Sequence, residues 1–163
     1  MIMELTEVRI KHLREEYVQG FIAFCGIEAV KFGLGTLEAR VNIRAEHRQQ
    51  DGFIHAGLAA TLADHTAGYA AYTMIPEDHR ILTIEFKMNF LRPAYSDALV
   101  CRARVIKPGR RVLVCESEVF DQRPQGEVLA AKTLTTMAST PQSDLQKDRS
   151  KNSNITSRPA PES

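Results

Sequence analysis

Along residues 35–46 apolar and polar side chains alternate: Leu37, Ala39, Val41, Ile43 and Ala45 are separated by Glu38, Arg40, Asn42, Arg44 and Glu46. Successive strand side chains point to opposite faces, so this segment predicts a strand with one buried and one solvated face. The same period recurs over residues 81–93. There Leu82, Ile84, Phe86, Met88 and Phe90 are expected on one face, with Thr83, Glu85, Lys87 and Asn89 on the other. Shorter strands are predicted at residues 25–32, 98–106, 111–120 and 127–137. The stretch Lys107-Pro108-Gly109-Arg110 and the pair Gln125-Gly126 read as turns between antiparallel neighbours. Residues 47–53 break the alternation and read as a loop.

Two segments have helical character. In residues 4–22, Leu5, Val8, Leu13, Tyr17 and Phe21 recur at roughly helical spacing among charged residues. Residues 58–74 are alanine-rich, lack β-branched runs and are apolar all round, which predicts a helix of roughly 25 Å buried on most sides. Pro76 is expected to stop it. The order α, β, β, long α and four β, with short turns after the helix, predicts an α+β fold. A single curved antiparallel sheet wraps round the long central helix, and an N-terminal helix precedes it. Such a sheet leaves an edge strand, and pairing with a second copy would cover it, so a dimer is expected. After Ser139 the composition turns polar, with Leu145 and Ile155 the only large aliphatic residues. The expectation is one domain at residues 1–138 and a disordered tail at 139–163.

Composition narrows the function. The 163 residues carry 21 Lys+Arg against 20 Asp+Glu, a net charge of +1 that argues against a general nucleic-acid or membrane-surface binder. Cys25, Cys101 and Cys115 form no C-x-x-C pair and read as reduced thiols. No signal-peptide run opens the chain and no stretch approaches about 20 apolar residues, so a cytoplasmic protein is expected.

One charge stands out within DGFIHAGLAATLADHTAGYAA (residues 51–71): Asp64 lies in the middle of the apolar helix, two turns after Gly57. Burying an isolated carboxylate costs several kcal/mol, so Asp64 needs a partner, water, or a cleft. The helix start offers free N–H groups and the positive end of the helix dipole, suited to a developing oxyanion. A carboxylate able to act as base or nucleophile, near such a donor, suits acyl transfer. His65 points about 100° away from Asp64 and reads as structural. His55, Asp64 and His65 match no standard metal-ligand spacing, so no metal is expected.

HAGLAATLADHTAGYAA, together with LTIEFKMNFLRPA, resembles the hotdog-fold acyl-CoA thioesterases of the phenylacetate-degradation (PaaI-like) type, over roughly residues 20–138. The resemblance implies a hotdog fold, hydrolysis of an acyl-CoA to a carboxylic acid and CoA, and no cofactor. By the same resemblance Asp64 is the catalytic carboxylate. Ala56 stands where relatives have a glycine whose backbone N–H polarises the thioester carbonyl. Gln49, or Gln50 if the loop shifts by one, stands where several relatives have an asparagine that helps hold the water or the carbonyl. Thr83 stands for a serine or threonine facing the water, and the His55 ring buttresses the loop. Asp64 and Thr83 would come from one subunit and Gln49, His55 and Ala56 from the other, in a homodimer or, as the favoured assembly, a homotetramer.

CoA phosphates need positive charge, and Arg92, Lys107, Arg110 and Arg111 lie at strand ends or in a turn where phosphates could reach them. Gly57 would admit the ligand close to the helix start. Tyr69 and Tyr72 are candidates for lining the acyl pocket or for core packing. Two other readings remain at this level: a non-enzymatic acyl-CoA-binding module, and a hydratase or dehydratase using His65 beside Asp64.

Overall fold

The computed structural model describes residues 5–153, with side chains described for residues 5–147. Its elements run α1 (Glu7–Tyr17), α2 (Gly20–Cys25), β1 (Ile27–Gly33), β2 (Thr36–Asn42), a 3-10 turn (Ala45–His47), α3 (Ala56–Tyr72), β3 (His79–Phe90), β4 (Ala98–Lys107), β5 (Val112–Arg123), β6 (Gly126–Pro141) and α4 (Gln142–Ser153). All six strands form one antiparallel sheet, in the order β1-β2-β4-β5-β6-β3. β3 therefore does not join β4 next to it in sequence. It crosses to the far edge and pairs with β6 alone.

The α+β architecture is the expected one: α3 lies on the concave face of the sheet and packs against every strand. Ala59, Ala63, Ala67, Ala70 and Ala71 are buried along it and meet Ala39, Cys101, Ala103 and Cys115 from the strands. Small residues on both sides let helix and sheet approach closely. Larger side chains (Leu62, Leu99, Leu113, Met137) fill the remaining space. The end of α3 is fixed by Thr73, not Pro76. Its hydroxyl donates to Ala70 O (2.7 Å) and accepts the Gly35 N–H (2.7 Å). Gly35 sits at φ +70° in the β1–β2 turn, and a Cβ there would meet Met74 Sδ at 2.8 Å. The turn thus needs glycine for conformation and for room.

The outer face of the sheet is charged in register. Glu38, Arg102, Glu118 and Lys132 face one another across β2, β4, β5 and β6. Arg102 donates to Glu38 (2.7 Å) and Glu127 (2.6 Å), and Lys132 to Glu118 (2.9 Å).

Several boundaries differ from the sequence expectation. The single N-terminal helix is two: α1 closes at Tyr17 and α2 begins at Gly20, which takes φ +55°. Of the residues at helical spacing, Val8 and Phe21 are exposed, whereas Leu13 and Tyr17 are buried; residue 4 lies outside the described residues. β1 starts at Ile27 because Cys25 ends α2. β2 stops at Asn42, since the 3-10 turn takes up residues 45–47. The segment read as a tail begins in regular structure: β6 continues to Pro141, held by β3 from His79 onward, and α4 follows to Ser153. Residues 154–163 lie outside the described residues.

The largest difference is in β3. Its pairing with β6 shifts by one residue between Thr83 and Glu85, a bulge at Ile84. A bulge reverses the alternation, so Ile81 and Thr83 share the helix side with Phe86, Met88 and Phe90, while Leu82 faces outward. Ile81 lies against Gly68 of α3, and Met88 packs on the core.

Asp121 closes the core beside the β3–β4 connection. Its buried carboxylate accepts from Ser96 N (3.1 Å), Tyr95 N, the Ser96 hydroxyl and Arg123 Nε (2.8 Å). Burial alone would raise its pKa, but these donors outweigh burial and hold it below the usual carboxylate range. Asp121→Asn is expected to cost about 2–3 kcal/mol at neutral pH, for lost charge-assisted hydrogen bonds. Because the folded pKa is depressed, this stabilisation is complete above the unfolded value of about 3.9 and fades as pH falls through the folded value. Urea midpoints of wild type and Asp121→Asn should therefore converge between about pH 5 and pH 2.

Candidate active site

Asp64 projects from the third turn of α3 and is half-buried. Its Oδ1 accepts the Thr83 hydroxyl at 2.8 Å. The bulge at Ile84 makes this contact possible, since uninterrupted alternation with Phe86, Met88 and Phe90 inward would turn Thr83 away. No Lys, Arg or His nitrogen lies within ion-pair distance of Asp64 among the described residues. The carboxylate and Thr83 open onto a cavity of ≈ 300 Å³, walled by Gly68, Tyr69, Tyr72 and Ile81. Tyr69 and Tyr72 line the cavity, and their rings also contact each other in a tilted arrangement (centroids 5.0 Å apart, 48° between planes).

His65 also borders this cavity, but its ring is held from behind. Nε2 is 3.0 Å from Tyr17 O, and the ring packs between Tyr17 and Tyr69. Burial lowers its pKa, opposed by the Tyr17 carbonyl and Asp64. Through this contact the His65 ring ties α3 to α1.

A second cluster forms at the start of α3. His55 is the N-cap, and its Nδ1 accepts the Gly57 N–H at 2.9 Å. A Cβ on Gly57 would lie 3.0 Å from that nitrogen, so glycine there admits the histidine ring; its N–H is committed to the cap and not free for a ligand. The Ala56 N–H has no acceptor among the described residues, as expected of a first-turn donor. Gln49, Gln50, His55, Ala56 and Arg92 line a cavity of ≈ 560 Å³, floored by Ile54, Ala59 and Leu99. The Gln50 amide donates to Asp51 (3.2 Å), whereas the Gln49 amide has no partner among the described residues.

The loop carrying Gln49 is held by residues that the sequence reading passed over. Arg48 spans two loops, donating to Gly52 O (3.0 Å), Tyr95 O (2.9 Å) and Ser96 O (3.1 Å). Buried His47 takes the Arg44 N–H on Nδ1 (3.1 Å), and its carbonyl accepts the His55 N–H (2.8 Å). Asp121, through Tyr95 and Ser96, supports the same loops. Asp121 did leave a signal: it occupies the inward phase of β5 after Leu113, Cys115, Ser117 and Val119.

The structure separates the other predicted cations. Arg92 borders the Gln49 cavity and donates to Leu129 O (3.1 Å), but Arg110 and Arg111 lie beside His79 and Ser139, lining a different cavity. One chain therefore does not gather Arg92, Arg110 and Arg111 around one ligand. The Asp64 and Ala56 clusters are separate as well. Ala56 and Asp64 are eight residues apart on one helix, about 12 Å along its axis. Among the described residues no group of three or more His, Cys, Asp or Glu is placed to hold a metal, and no helix is long and apolar enough to cross a membrane.

With this geometry in view, the comparisons are consistent. Residues 51–128, which include α3, Asp64 and Thr83, match the model of the thioesterase superfamily. A putative esterase of Pasteurella multocida is 32% identical over 114 residues, covering 70% of this chain and 82% of that protein. The 1,4-dihydroxy-2-naphthoyl-CoA hydrolase of Escherichia coli is 25% identical over 115 residues, covering 71% and 83%. A thioesterase family protein from Silicibacter pomeroyi has a crystal structure that superposes with a TM-score of 0.78, at 32% identity, covering 81% of this chain and 98% of that one.

The cap role of His55 is separable from any chemistry. His55→Ala should lower folding stability by about 1 kcal/mol, whereas His55→Asn, whose side chain is a strong N-cap, should retain most of it. Equilibrium urea unfolding of the two variants checks this. Equal losses in both would show that the ring matters by packing and not by accepting the Gly57 N–H.

Proposed function

Because this chain belongs to the thioesterase superfamily, and so to the thioester hydrolases, we propose that its substrate is an acyl-CoA and that Asp64 drives the hydrolysis. The observation that carries this reading is the Asp64–Thr83 pair: a carboxylate without a cation, oriented by one hydroxyl, at the mouth of a cavity. The CoA hydrolase activity named for the Escherichia coli relative supports the choice of thioester.

The reaction needs three things at one carbonyl: a donor to its oxygen, a nucleophile at its carbon, and a proton for the departing sulfur. The free Ala56 N–H, at the positive end of α3, is the candidate donor. Gln49, with an unpaired amide in the same cavity, would hold the carbonyl or the water. Asp64 takes a proton from a water that attacks the carbon, or attacks the carbon itself, expelling the thiolate to leave an acyl–Asp64 anhydride that water then hydrolyses, with a proton of that water going to the sulfur. In the first case a C–O bond forms, the C–S bond breaks with its electron pair going to sulfur, and Asp64 returns the proton to the thiolate. Donor and nucleophile must both lie near 3 Å from the carbonyl group, and about 12 Å separates them within one helix. The site is therefore completed by a second copy, whose Ala56, His55 and Gln49 meet Asp64 and Thr83 of the first. The open edge of β3, with Phe86 and Phe90 exposed, is the surface on which that copy would pair. Arg92, at the Gln49 cavity, is the cation placed to meet a CoA phosphate.

Release of free thiol from a panel of acyl-CoA esters tests the assignment. Asp64→Asn is expected to lose at least about 10²-fold in kcat; an unchanged rate would remove Asp64 from the chemistry. Ala56→Pro deletes only an N–H at the first helical position, where proline fits and where His55 already has the extended ψ of 133° that a following proline requires. It should fold and lose about 10²–10³-fold in kcat, the cost of one oxyanion donor. Refolding the two inactive variants together should restore up to about a quarter of wild-type activity, since half the dimers formed would hold one intact site. No recovery would place both groups in a single subunit's site.

A further inference from the structure

Asp64 and Gly68 are four residues apart, so they share one face of α3 and look into the same cavity. Every other wall of that cavity carries a side chain, and Gly68 carries none. A Cβ built at Gly68 would meet only Ile81 Cγ2 and Met137 Cε, both at 3.9 Å, which is ordinary contact. The backbone does not demand glycine here either, because Gly68 has ordinary helical geometry in the middle of α3. Glycine costs an interior helical turn stability compared with alanine. What it leaves is space next to the carboxylate.

The cavity of ≈ 300 Å³ is about twice the 150 Å³ of an engineered apolar cavity that accepts benzene. From these features we infer that Gly68 sets the size limit of the acyl group admitted beside Asp64. The inference rests on the acyl-CoA hydrolase reading above.

The test measures kcat/KM on acetyl-, benzoyl-, lauroyl- and palmitoyl-CoA for wild type, Gly68→Ala and Gly68→Val, with thermal unfolding of each. Gly68→Ala should melt no lower than wild type, because alanine is the better helix former; it secures a folded variant for the comparison. The benzoyl-to-acetyl ratio of kcat/KM should fall at least about 10-fold in Gly68→Val, the scale of a methylene-sized mismatch, and less in Gly68→Ala. Ratios unchanged in both variants would remove Gly68 as the size limit. Absence of thiol release from every ester by wild type would instead overturn the hydrolase reading, and the inference with it.

Discussion

A curved sheet can wrap a helix only if the two backbones come close along the whole length of contact, and in this protein alanine provides that closeness. Ala59, Ala63, Ala67, Ala70 and Ala71 on α3 face Ala39, Cys101 and Ala103 on the strands. With so little side-chain bulk between them, β2, β4, β5 and β6 wrap α3 and bury its apolar surface. The polar groups α3 carries must then be matched individually. Thr66 bonds back to Leu62 O (2.6 Å) and meets the Tyr17 hydroxyl (3.3 Å); Ser117 donates to Ala63 O (3.0 Å). Asp64 is accommodated differently. It faces the β3 side, where the sheet ends, and its one protein donor there is Thr83.

The edge strand therefore has two tasks that an uninterrupted alternation cannot combine. Near its end it places Met88 on the core, in phase with Phe86 and Phe90, and near its start it turns a hydroxyl to Asp64. The extra residue at Ile84 reconciles them by reversing the phase between the two parts. At the other end of α3, the loop bearing Gln49 is fixed by charge instead of packing. Asp121 holds residues 95 and 96, and Arg48 ties those residues to residue 52, so two loops distant in sequence are joined through one guanidinium group. The first cluster depends on strand register and the second on hydrogen bonds to charged groups.

These two means of construction also explain what could be read from the sequence. Periodicity is a local signal, and it gave the strands, the buried helix and the anomaly of Asp64; the motif around Asp64 pointed to the right family. A bulge leaves no local signature in LTIEFKMNF, whose alternation is unbroken, so periodicity put Thr83 on the face opposite Phe86, Met88 and Phe90, whereas the structure turns it toward Asp64. Arg48 and His47 act through carbonyls and N–H groups of their own and other loops, and such partners have no pattern in the chain. Gly20 splits the N-terminal helix by taking a left-handed conformation that spacing alone does not reveal. α4 follows β6 although its composition is that of a solvated segment.

The placement of β3 governs the order in which this architecture can be made. Its only neighbour in the sheet is β6, and the pairing runs from His79 with Pro141 to Phe90 with Ala131. A nascent chain emerging from the ribosome will have released α3 and β3 dozens of residues before that partner exists. During that interval the aromatic residues of β3 have no strand beside them, the kind of exposure that recruits chaperones. Asp64 and Thr83 are 19 residues apart in sequence, yet the contact between them must await the last strand to be synthesised.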